Sequence, residues 1–309
     1  MSAAGMRIAS APVSFGVDEV MTDDAWVPAP DDMLDWMVDI GFEGTELGDP
    51  GYLGDGPRVR ERLSSRGLEL VGAFLPQHFS RADKAEEDRA WLDSTLRLIA
   101  DGSPDGSRPF AVLADHFDEP IRQAYSGRIP DHPEAWLDPS RFRTMVDSLH
   151  RAAETCRAAG FEPVIHPHAG TYIETADEIA RLVDAMDPSI VGLCLDTGHF
   201  RFGGADPVTA AKDYRDVIRH VHVKDCRSAV IDQARAEDFG LKEALARGVF
   251  CALGDGDARI DAVIAQLLAD GYSGWLVIEQ DQQLRSSDTP ASVLAGQRAN
   301  REYLRRLGL

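Results

Sequence analysis

The stretch VGLCLDTGHF, residues 191–200, begins as an apolar run and ends with an acid and an imidazole three positions apart, Asp196 and His199. A continuously apolar run is typical of a strand that is covered on both faces, as in a parallel sheet. A second stretch, RHVHVKD at 219–225, also ends a β-type run in charged residues. Both stretches therefore predict buried strands whose polar side chains lie at the carboxyl end.

Runs of this kind recur along the whole chain, and helical patterns separate them. Strands are predicted at 6–16, 44–48, 68–76, 109–115, 162–168, 190–196, 218–225 and 274–281. Helices are predicted at 31–41, 84–102, 140–160, 175–186, 206–216 and 260–271. Alternating strands and helices imply right-handed crossovers and a parallel sheet. Eight strands in this order predict an α/β protein, a single (β/α)8 TIM barrel domain over residues 1–309.

Two segments interrupt the alternation. Residues 117–139 are rich in proline and charge, and residues 226–258 contain the helix-like pattern AEDFGLKEALARG. We expect both segments to form insertions at the carboxyl-terminal rim, where barrel enzymes build their sites. No GxGxxG motif follows the first predicted strand, which argues against a dinucleotide-binding fold.

The composition is that of a globular protein with a strong negative charge. The chain has 309 residues, 44% of them hydrophobic, and a formal charge of −20. This charge disfavours nucleic acid and acidic membranes as partners and favours a small neutral substrate. Without a long apolar segment, a signal sequence or CxxC spacing among its four cysteines, the chain is expected in the cytoplasm with reduced thiols. The sequence does not decide whether the chain forms a homo-oligomer.

Polar side chains gather at the carboxyl ends of the last four predicted strands. They are His166 and His168, Asp196 and His199, His220 and His222 with Lys224 and Asp225, and Glu279 and Asp281. Neighbouring strand ends of a barrel converge on one rim, so these residues are expected to meet there. Imidazoles and carboxylates together suit Mn, Co, Fe or Zn. Because side chains two apart on a strand face the same way, alternation alone does not choose between the histidines of each pair.

Each of these residues also has a structural interpretation. A single histidine at a strand end is commonly a hydrogen-bonded rim residue, and Asp196 is suited to cap the helix that follows it. Glu279 could pair with an arginine, and Lys224 with Asp225. Four successive strands that each end in a suitable ligand nevertheless favour a metal site for the group as a whole.

Six blocks of sequence carry a family resemblance. They are TELGDPGYLGD (45–55), HPHAGTYIET (166–175), CLDTGHFRFGGADP (194–207), HVHVKD (220–225), GVFCALGDGDARID (248–261) and GYSGWLVIEQD (271–281). With these blocks the chain resembles the xylose-isomerase-like TIM-barrel superfamily, which includes sugar phosphate isomerases and epimerases and the family 2 AP endonucleases. The resemblance is greatest to the inosose (2-keto-myo-inositol) dehydratase group. It implies a carbon–oxygen lyase of myo-inositol catabolism.

The resemblance also implies a ligand set. One divalent metal ion, Mn2+ first with Co2+, Fe2+ and Zn2+ as alternatives, would be held by His166, Asp196, His222 and Glu279. Many relatives, the ketose epimerases among them, carry Glu where this chain has His166. An epimerase moves protons on two faces of its substrate, which suits two carboxylates. With one carboxylate lost, we expect one-sided chemistry: a base removes the proton α to a ketone, the metal stabilises the enediolate, and a β-hydroxyl leaves as water.

The remaining roles are assigned by position. Glu279 is the first candidate for the base, with His199 and His168 as rivals, and Lys224 is a candidate donor to a substrate oxygen or to the leaving hydroxyl. The expected substrate contacts are Glu46, His168, His199, Arg201 and Lys224. Glu174 is interpreted either as a helix-start residue or as a further contact.

Several functions compete with dehydration of a keto-cyclitol. A lyase for 3-keto-sugars, similar to a C-glycoside deglycosidase, needs the same α-proton chemistry, and a sugar isomerase or epimerase shares the superfamily. A DNA-repair endonuclease is disfavoured by the charge of −20 and by the lack of an evident second ligand set. A non-catalytic sugar-binding subunit is disfavoured by the complete metal site.

Overall fold

A parallel barrel forms the centre of the molecule. The computed structural model describes residues 5–17, 26–282, 284 and 286–309. Its strands are β1 (Arg7–Ser10), β2 (Gly44–Glu46), β3 (Glu69–Gln77), β4 (Phe110–Asp115), β5 (Glu162–Ile165), β6 (Gly192–Asp196), β7 (Ile218–Val223), β8 (Asp225–Cys226), β9 (Phe250–Cys251) and β10 (Trp275–Ile278). The barrel closes in the order β1-β10-β7-β6-β5-β4-β3-β2. The predicted eight-stranded barrel is confirmed, and every predicted strand overlaps an observed one; the first is shorter than predicted, because Pro12–Phe15 form a 3-10 helix.

Helices surround the barrel. They are α1 (Pro30–Ile40), α2 (Gly56–Ser64), α3 (Ala85–Gly102), α4 (Pro120–Tyr125), α5 (Pro139–Ala158), α6 (Ala176–Ala185), α7 (Thr197–Phe202), α8 (Pro207–Asp213), α9 (Ser228–Glu237), α10 (Leu241–Ala246), α11 (Ile260–Ala269) and α12 (Pro290–Arg306). The six predicted helices are confirmed, but α2 and α12 were missed. Both begin with signals that the sequence offers: Asp55 accepts a hydrogen bond from the Arg58 amide, and Thr289 caps α12 just before Pro290.

The strand register brings the carboxyl ends of neighbouring strands together. Asp196 at the end of β6 lies opposite His222 of β7, and His222 lies opposite Val277 of β10. All five residues of β6 are buried, as the continuous apolar run predicts. A polar side chain at the end of one strand therefore lies beside the end of the next, at the mouth of the barrel.

Both rim insertions are confirmed, with one correction. The pattern AEDFGLKEALARG does not form one helix, because Asp238 adopts a left-handed conformation (φ 58°) and separates α9 from α10. At Gly240 a Cβ would lie 2.1 Å from the Gln123 carbonyl oxygen, so only glycine allows the two insertions to approach this closely. Arg128 of the first insertion also donates to Asp238 of the second at 2.6 Å.

The sequence predicts no membrane partner, and the length and polarity of the helices can be compared with that prediction. Within the described part of the chain, no helix is both long enough and apolar enough to cross a bilayer.

Candidate active site

Four of the predicted residues meet at the mouth of the barrel, and we call them the ligand cluster: His166, Asp196, His222 and Glu279. Each offers one nitrogen or oxygen atom, and these four atoms lie within 4.8 Å of one another. All four residues are buried. His166 Nε2 lies 3.4 Å from Asp196 Oδ2, and His222 Nδ1 lies 3.1 Å from Glu279 Oε2. The structure thus brings together the side chains that the sequence places at four separate strand ends.

Unsatisfied polar atoms test whether the ligand cluster fits a metal ion. Asp196 Oδ2 and His222 Nδ1 are buried 3.8 Å apart and make no well-aligned hydrogen bond; their ionic neighbours are Lys224 Nζ at 3.2 Å and Glu279 Oε2 at 3.1 Å. Buried polar atoms are nearly always hydrogen-bonded, so two such atoms facing each other fit the ligands of a cation. Two imidazoles and two carboxylates are a donor set suited to Mn2+, Fe2+, Co2+ or Zn2+. The residues present therefore fit one divalent cation.

Asp196 resolves an alternative that the sequence left open. Its Oδ1 accepts a hydrogen bond at 2.8 Å from the amide of His199 and so caps α7. Its Oδ2 faces the ligand cluster, 3.4 Å from His166 Nε2 and 3.2 Å from Lys224 Nζ. The capping role and the ligand role use different oxygens, so one does not exclude the other.

Glu46 lies beneath the ligand cluster, at the end of β2. Its Oε1 accepts hydrogen bonds from His220 Nε2 at 2.8 Å and from His222 Nε2 at 3.0 Å. Burial alone would raise the pKa of Glu46, but the two imidazoles hold that pKa well below its usual range. Because Nε2 of His222 is bound in this way, its Nδ1 faces the ligand cluster, an arrangement typical of metal-bound histidines. His220 lies outside the cluster and stacks on Phe110 with ring centroids 4.3 Å apart.

Lys224 is buried at the centre of the charged side chains. Its Nζ lies 3.2 Å from Asp196 Oδ2 and 3.1 Å from Glu279 Oε2. It also donates to Asp281 Oδ2 at 3.0 Å, and His199 Nε2 lies 3.0 Å away. Burial disfavours the ammonium, but the surrounding carboxylates hold the pKa of Lys224 well above its usual value. Lys224 is therefore a charged donor next to the ligand cluster.

One interpretation of the sequence paired Lys224 with Asp225, but Asp225 has other partners. Its two carboxylate oxygens accept hydrogen bonds from backbone amides of the second rim insertion and its flanking loop. The donors are Cys226, Gly254, Gly256 and Ala258. Asp225 thus shapes the loop that follows β9.

A cavity of about 230 Å³ opens above the ligand cluster. Its floor includes His166, His222 and Glu279. Its apolar lining is Ala11, Pro12, Val13, Val17, Pro50, Phe74, Phe117, Leu241 and Leu245. A largely apolar cavity with a few convergent polar groups is the usual form of a small-molecule site.

His168 and His199 line the same cavity. Their ring centroids lie 3.8 Å apart, and His168 Nδ1 donates to the Ala169 carbonyl at 2.7 Å. Burial, together with the charges of His166 and Lys224, lowers the pKa of His168 to about 3. His168 is therefore neutral near pH 7, and its Nε2 carries the lone pair.

Asp281 is a cavity residue to which the sequence analysis gave no role. Both of its oxygens contact Lys224 Nζ, at 2.9 and 3.0 Å, and the carboxylate lines the cavity. Burial raises the pKa of Asp281 to about 7, against the effect of Lys224. The signal was present in the sequence, because Asp281 follows Glu279 by two positions and such residues share a face of a strand.

Two predicted contacts do not reach the cavity. Arg201 donates to the Ser228 hydroxyl at 2.9 Å and is not among the cavity-lining residues. Residues two apart on a helix point in different directions, so α7 turns Arg201 away when His199 faces the cavity. Glu174 is buried elsewhere, where it joins the first rim insertion to the loop after β5 by accepting hydrogen bonds from Ser126, Gly127 and Gly170.

A second group of histidines and acids lies in the loops after β3 and β4 and in the first turn of α3, and we call it the rim pair: His78 and His116, with Asp88 and Asp118. His78 Nδ1 bonds to Asp88 Oδ1 at 2.8 Å, and His78 Nε2 bonds to Asp118 Oδ2 at 3.2 Å. The two imidazole rings stack with centroids 4.0 Å apart and an interplanar angle of 8°. His78, His116 and Asp118 are close enough to hold an ion. No second ligand set was predicted from the sequence, and this group of residues corrects that prediction.

Comparison with known proteins places the chain in a family. Residues 34–307 match the family described as Xylose isomerase-like TIM barrel. The chain belongs to this family. It is 35% identical over 282 residues to an inosose dehydratase of Geobacillus kaustophilus, which covers 89% of this chain and 87% of that relative. The predicted resemblance, and with it the prediction of an enzyme similar to the inosose dehydratases, is confirmed.

Solved structures with the same fold include proteins of different activities. The structure titled L-ribulose 3-epimerase superposes with a TM-score of 0.68 at 19% identity, covering 100% of this chain and 95% of its own. The IolI protein, solved with a bound zinc atom, superposes with a TM-score of 0.67 at 14% identity and covers 98% of both chains. At these identities the likeness establishes the fold alone, because one fold supports many reactions.

Proposed function

We propose that this protein is a metal-dependent hydro-lyase that removes water from a keto-cyclitol such as 2-keto-myo-inositol (scyllo-inosose). One observation carries the proposal: His166 Nε2, Asp196 Oδ2, His222 Nδ1 and Glu279 Oε2 converge next to a small-molecule cavity that His166, His222 and Glu279 line. The 35% identity to an inosose dehydratase supports this reaction over the others found on the same fold.

The four residues of the ligand cluster would hold one divalent cation. Mn2+ is our first choice from the donor set, and Zn2+ is supported by the bound zinc atom of the IolI protein. When bound, such an ion acts as a Lewis acid on a substrate oxygen.

Glu279 is the proposed base. Burial would raise the pKa of Glu279, but His222 and Lys224 hold it well below its usual range, so the carboxylate is ionised. It lines the cavity and faces a bound substrate from the floor. We propose that it takes the proton from the carbon next to the ketone. His199 and the neutral His168 are the alternative acceptors on the same side of the cavity.

Lys224 is the proposed proton donor. Its ammonium lies 3.1 Å from Glu279, so a base and an acid stand side by side at the floor of the cavity. We propose that Lys224 donates to the departing β-hydroxyl, which leaves as water. Both proton transfers then occur on one side of the ring, in keeping with the imidazole of His166 in place of a second carboxylate.

The apolar wall of the cavity has a separate role. Phe74 and Phe117 line it opposite the charged residues, with ring centroids 6.5 Å apart. We propose that they contact the C–H face of the cyclitol ring and keep water from the reacting carbons. The hydroxyl groups would then face the polar floor.

The proposal is tested by offering the metal-loaded protein scyllo-inosose, fructose and tagatose separately. We expect the enolisable diketone to form from inosose much faster than either ketose is epimerised. Mass spectrometry of the same reactions in D2O would follow exchange of the α-proton. Epimerisation of a ketose without any diketone from inosose would contradict the proposal and favour the isomerase alternative.

A further inference from the structure

The ammonium group of Lys224 lies where it would repel a metal ion bound in the ligand cluster. Its Nζ contacts Asp196 Oδ2 at 3.2 Å and Glu279 Oε2 at 3.1 Å, and both carboxylates belong to the ligand cluster. Two positive charges a few ångströms apart in a buried site repel each other strongly. The ammonium and a divalent cation therefore compete for the same two carboxylates.

Asp281 offers the ammonium another partner. Lys224 Nζ contacts its two oxygens at 2.9 and 3.0 Å, which are the shortest carboxylate contacts that Lys224 makes. Asp281 does not belong to the ligand cluster, and its side chain retains 15% of its exposure at the cavity wall. A bound metal leaves this contact intact while it neutralises the other two carboxylates.

The stem of Lys224 is held in place, so only its end can shift. A Cβ at Gly198 would lie 2.6 Å from Lys224 Cγ, which shows how closely the stem packs on the turn after β6. The Nζ atom also lies 5.0 Å from the centre of the Phe250 ring, a second favourable contact outside the ligand cluster. The ammonium can thus change partners without leaving the cavity.

We infer that Lys224 is an internal competitor for the metal site, and that Asp281 is the positioning residue that holds the ammonium when a metal binds. The inference rests on the metal site proposed above and adds a coupling to it. A bound metal engages Asp196 and Glu279, two of the three carboxylates that hold Lys224. The ammonium is then held by Asp281, at the cavity wall that a substrate contacts. Without a metal, Lys224 balances the charge of Asp196 and Glu279.

The test is the affinity for Mn2+, measured by competition with a chelating dye on the full chain. Lys224→Met should bind Mn2+ at least about tenfold more tightly than the unmodified protein, because the competitor is gone. Asp281→Asn should bind it about tenfold more weakly, because the ammonium loses its alternative partner. A tenfold change in metal affinity is the usual effect of altering a residue that contacts a metal ligand.

Lys242→Met is the matched control. Lys242 lines the same cavity from α10, but among the described residues it makes no ion pair with Asp196 or Glu279. The affinity of this variant for Mn2+ should therefore not change.

A double variant separates positioning from a general structural effect. If Asp281 acts through Lys224, Asp281→Asn should have no effect on Mn2+ affinity once Lys224 is Met. A weakening that persists in the double variant overturns the role given to Asp281. Equal or weaker binding by Lys224→Met overturns the competition. If Lys224→Met does not fold, Asp281→Asn decides alone, and unchanged affinity in that variant overturns the inference. An unmodified protein that binds no Mn2+, Co2+ or Zn2+ overturns the proposed metal site as well.

Discussion

The ligand cluster and the rim pair contain the same kinds of side chain in different arrangements. In the ligand cluster, His166 Nε2 and His222 Nδ1 both face Asp196 Oδ2, at 3.4 and 3.8 Å. In the rim pair, the carboxylates of Asp88 and Asp118 bond to His78, whose ring stacks flat on that of His116. Ring nitrogens direct their lone pairs within the plane of the ring, so two stacked rings do not aim both lone pairs at one ion between them.

The types of residue in a cluster therefore do not by themselves define a metal site; their arrangement matters as well. The ligand cluster is built on strand ends, whose positions the barrel fixes, whereas three of the four rim-pair residues lie in loops and Asp88 lies in the first turn of α3. Loops carry many functional residues, but a rigid element holds ligands more accurately. The predictions below compare the two groups, beginning with the largest expected effect.

Asp196→Asn should weaken metal affinity by more than about a hundredfold. Loss of a metal ligand has a larger effect than the tenfold to hundredfold loss of affinity that follows when a residue next to a ligand is changed. The barrel should remain folded, since the Asn oxygen can still cap α7. Asp118→Asn, the equivalent change in the rim pair, should leave metal affinity within about threefold. Elemental analysis and circular dichroism of both variants measure this. An unfolded Asp196→Asn protein would mean that this residue is structural.

Glu279→Gln should lower turnover of inosose by at least about a hundredfold, the usual scale for loss of a general base. Gln keeps the size and one oxygen ligand, so metal occupancy should change far less than turnover. Exchange of the substrate α-proton in D2O should slow in parallel, as followed by NMR. If exchange persists at the unmodified rate, the base is His199 or His168.

Glu46→Gln should weaken metal affinity by about tenfold, because the amide no longer orients His222 through a charged hydrogen bond. Asp88→Asn is the matched control, since Asp88 bonds to His78 in the rim pair as Glu46 bonds to His222. Titration with Mn2+ compares the two variants. Equal effects would show that the two groups are not distinct.

The rim pair should respond to pH more than to metal. Burial, and then the charge of His78, lowers the pKa of His116 below its usual value. The folded protein therefore binds this proton less readily than the unfolded chain, and stability from His116 is lost as pH falls below about 6.5. Between about pH 7.5 and pH 5, the free energy of unfolding should fall more steeply for the unmodified protein than for His116→Asn. Urea unfolding at each pH measures the slopes; a slope that changes with added Mn2+ would place a metal at the rim.

Much of the ligand cluster could be predicted from the sequence, because its residues end apolar runs. His166, Asp196 and Glu279 directly follow or close their strands, and barrel closure alone brings such ends together. Which histidine of β7 joins the cluster was not decided by alternation, since His220 and His222 share a face. The choice follows from depth in the barrel, with His220 stacked on Phe110 below the cluster.

Other parts of the site depend on contacts that local patterns do not record. Glu46 lines the cavity, as its expected substrate contact requires, but its bonds to His220 and His222 were not predicted, because they cross the barrel interior from a strand that does not pair with β7. Arg201 was expected to contact substrate but lies outside the cavity lining, because the direction of a side chain on α7 is set by the turn that follows β6. The rim pair brings together loops after two strands, and stacking of its rings has no signature in the sequence.

The central claim is that one metal ion in the ligand cluster is required for dehydration. It is tested most directly by removing metal with a chelator and then adding Mn2+ back in steps, while bound metal and the rate of inosose dehydration are measured on the same samples. We predict that the stripped protein is inactive and that the rate rises in proportion to bound metal, with a break at one equivalent per chain. Full activity in protein that elemental analysis shows to be free of metal would contradict the account.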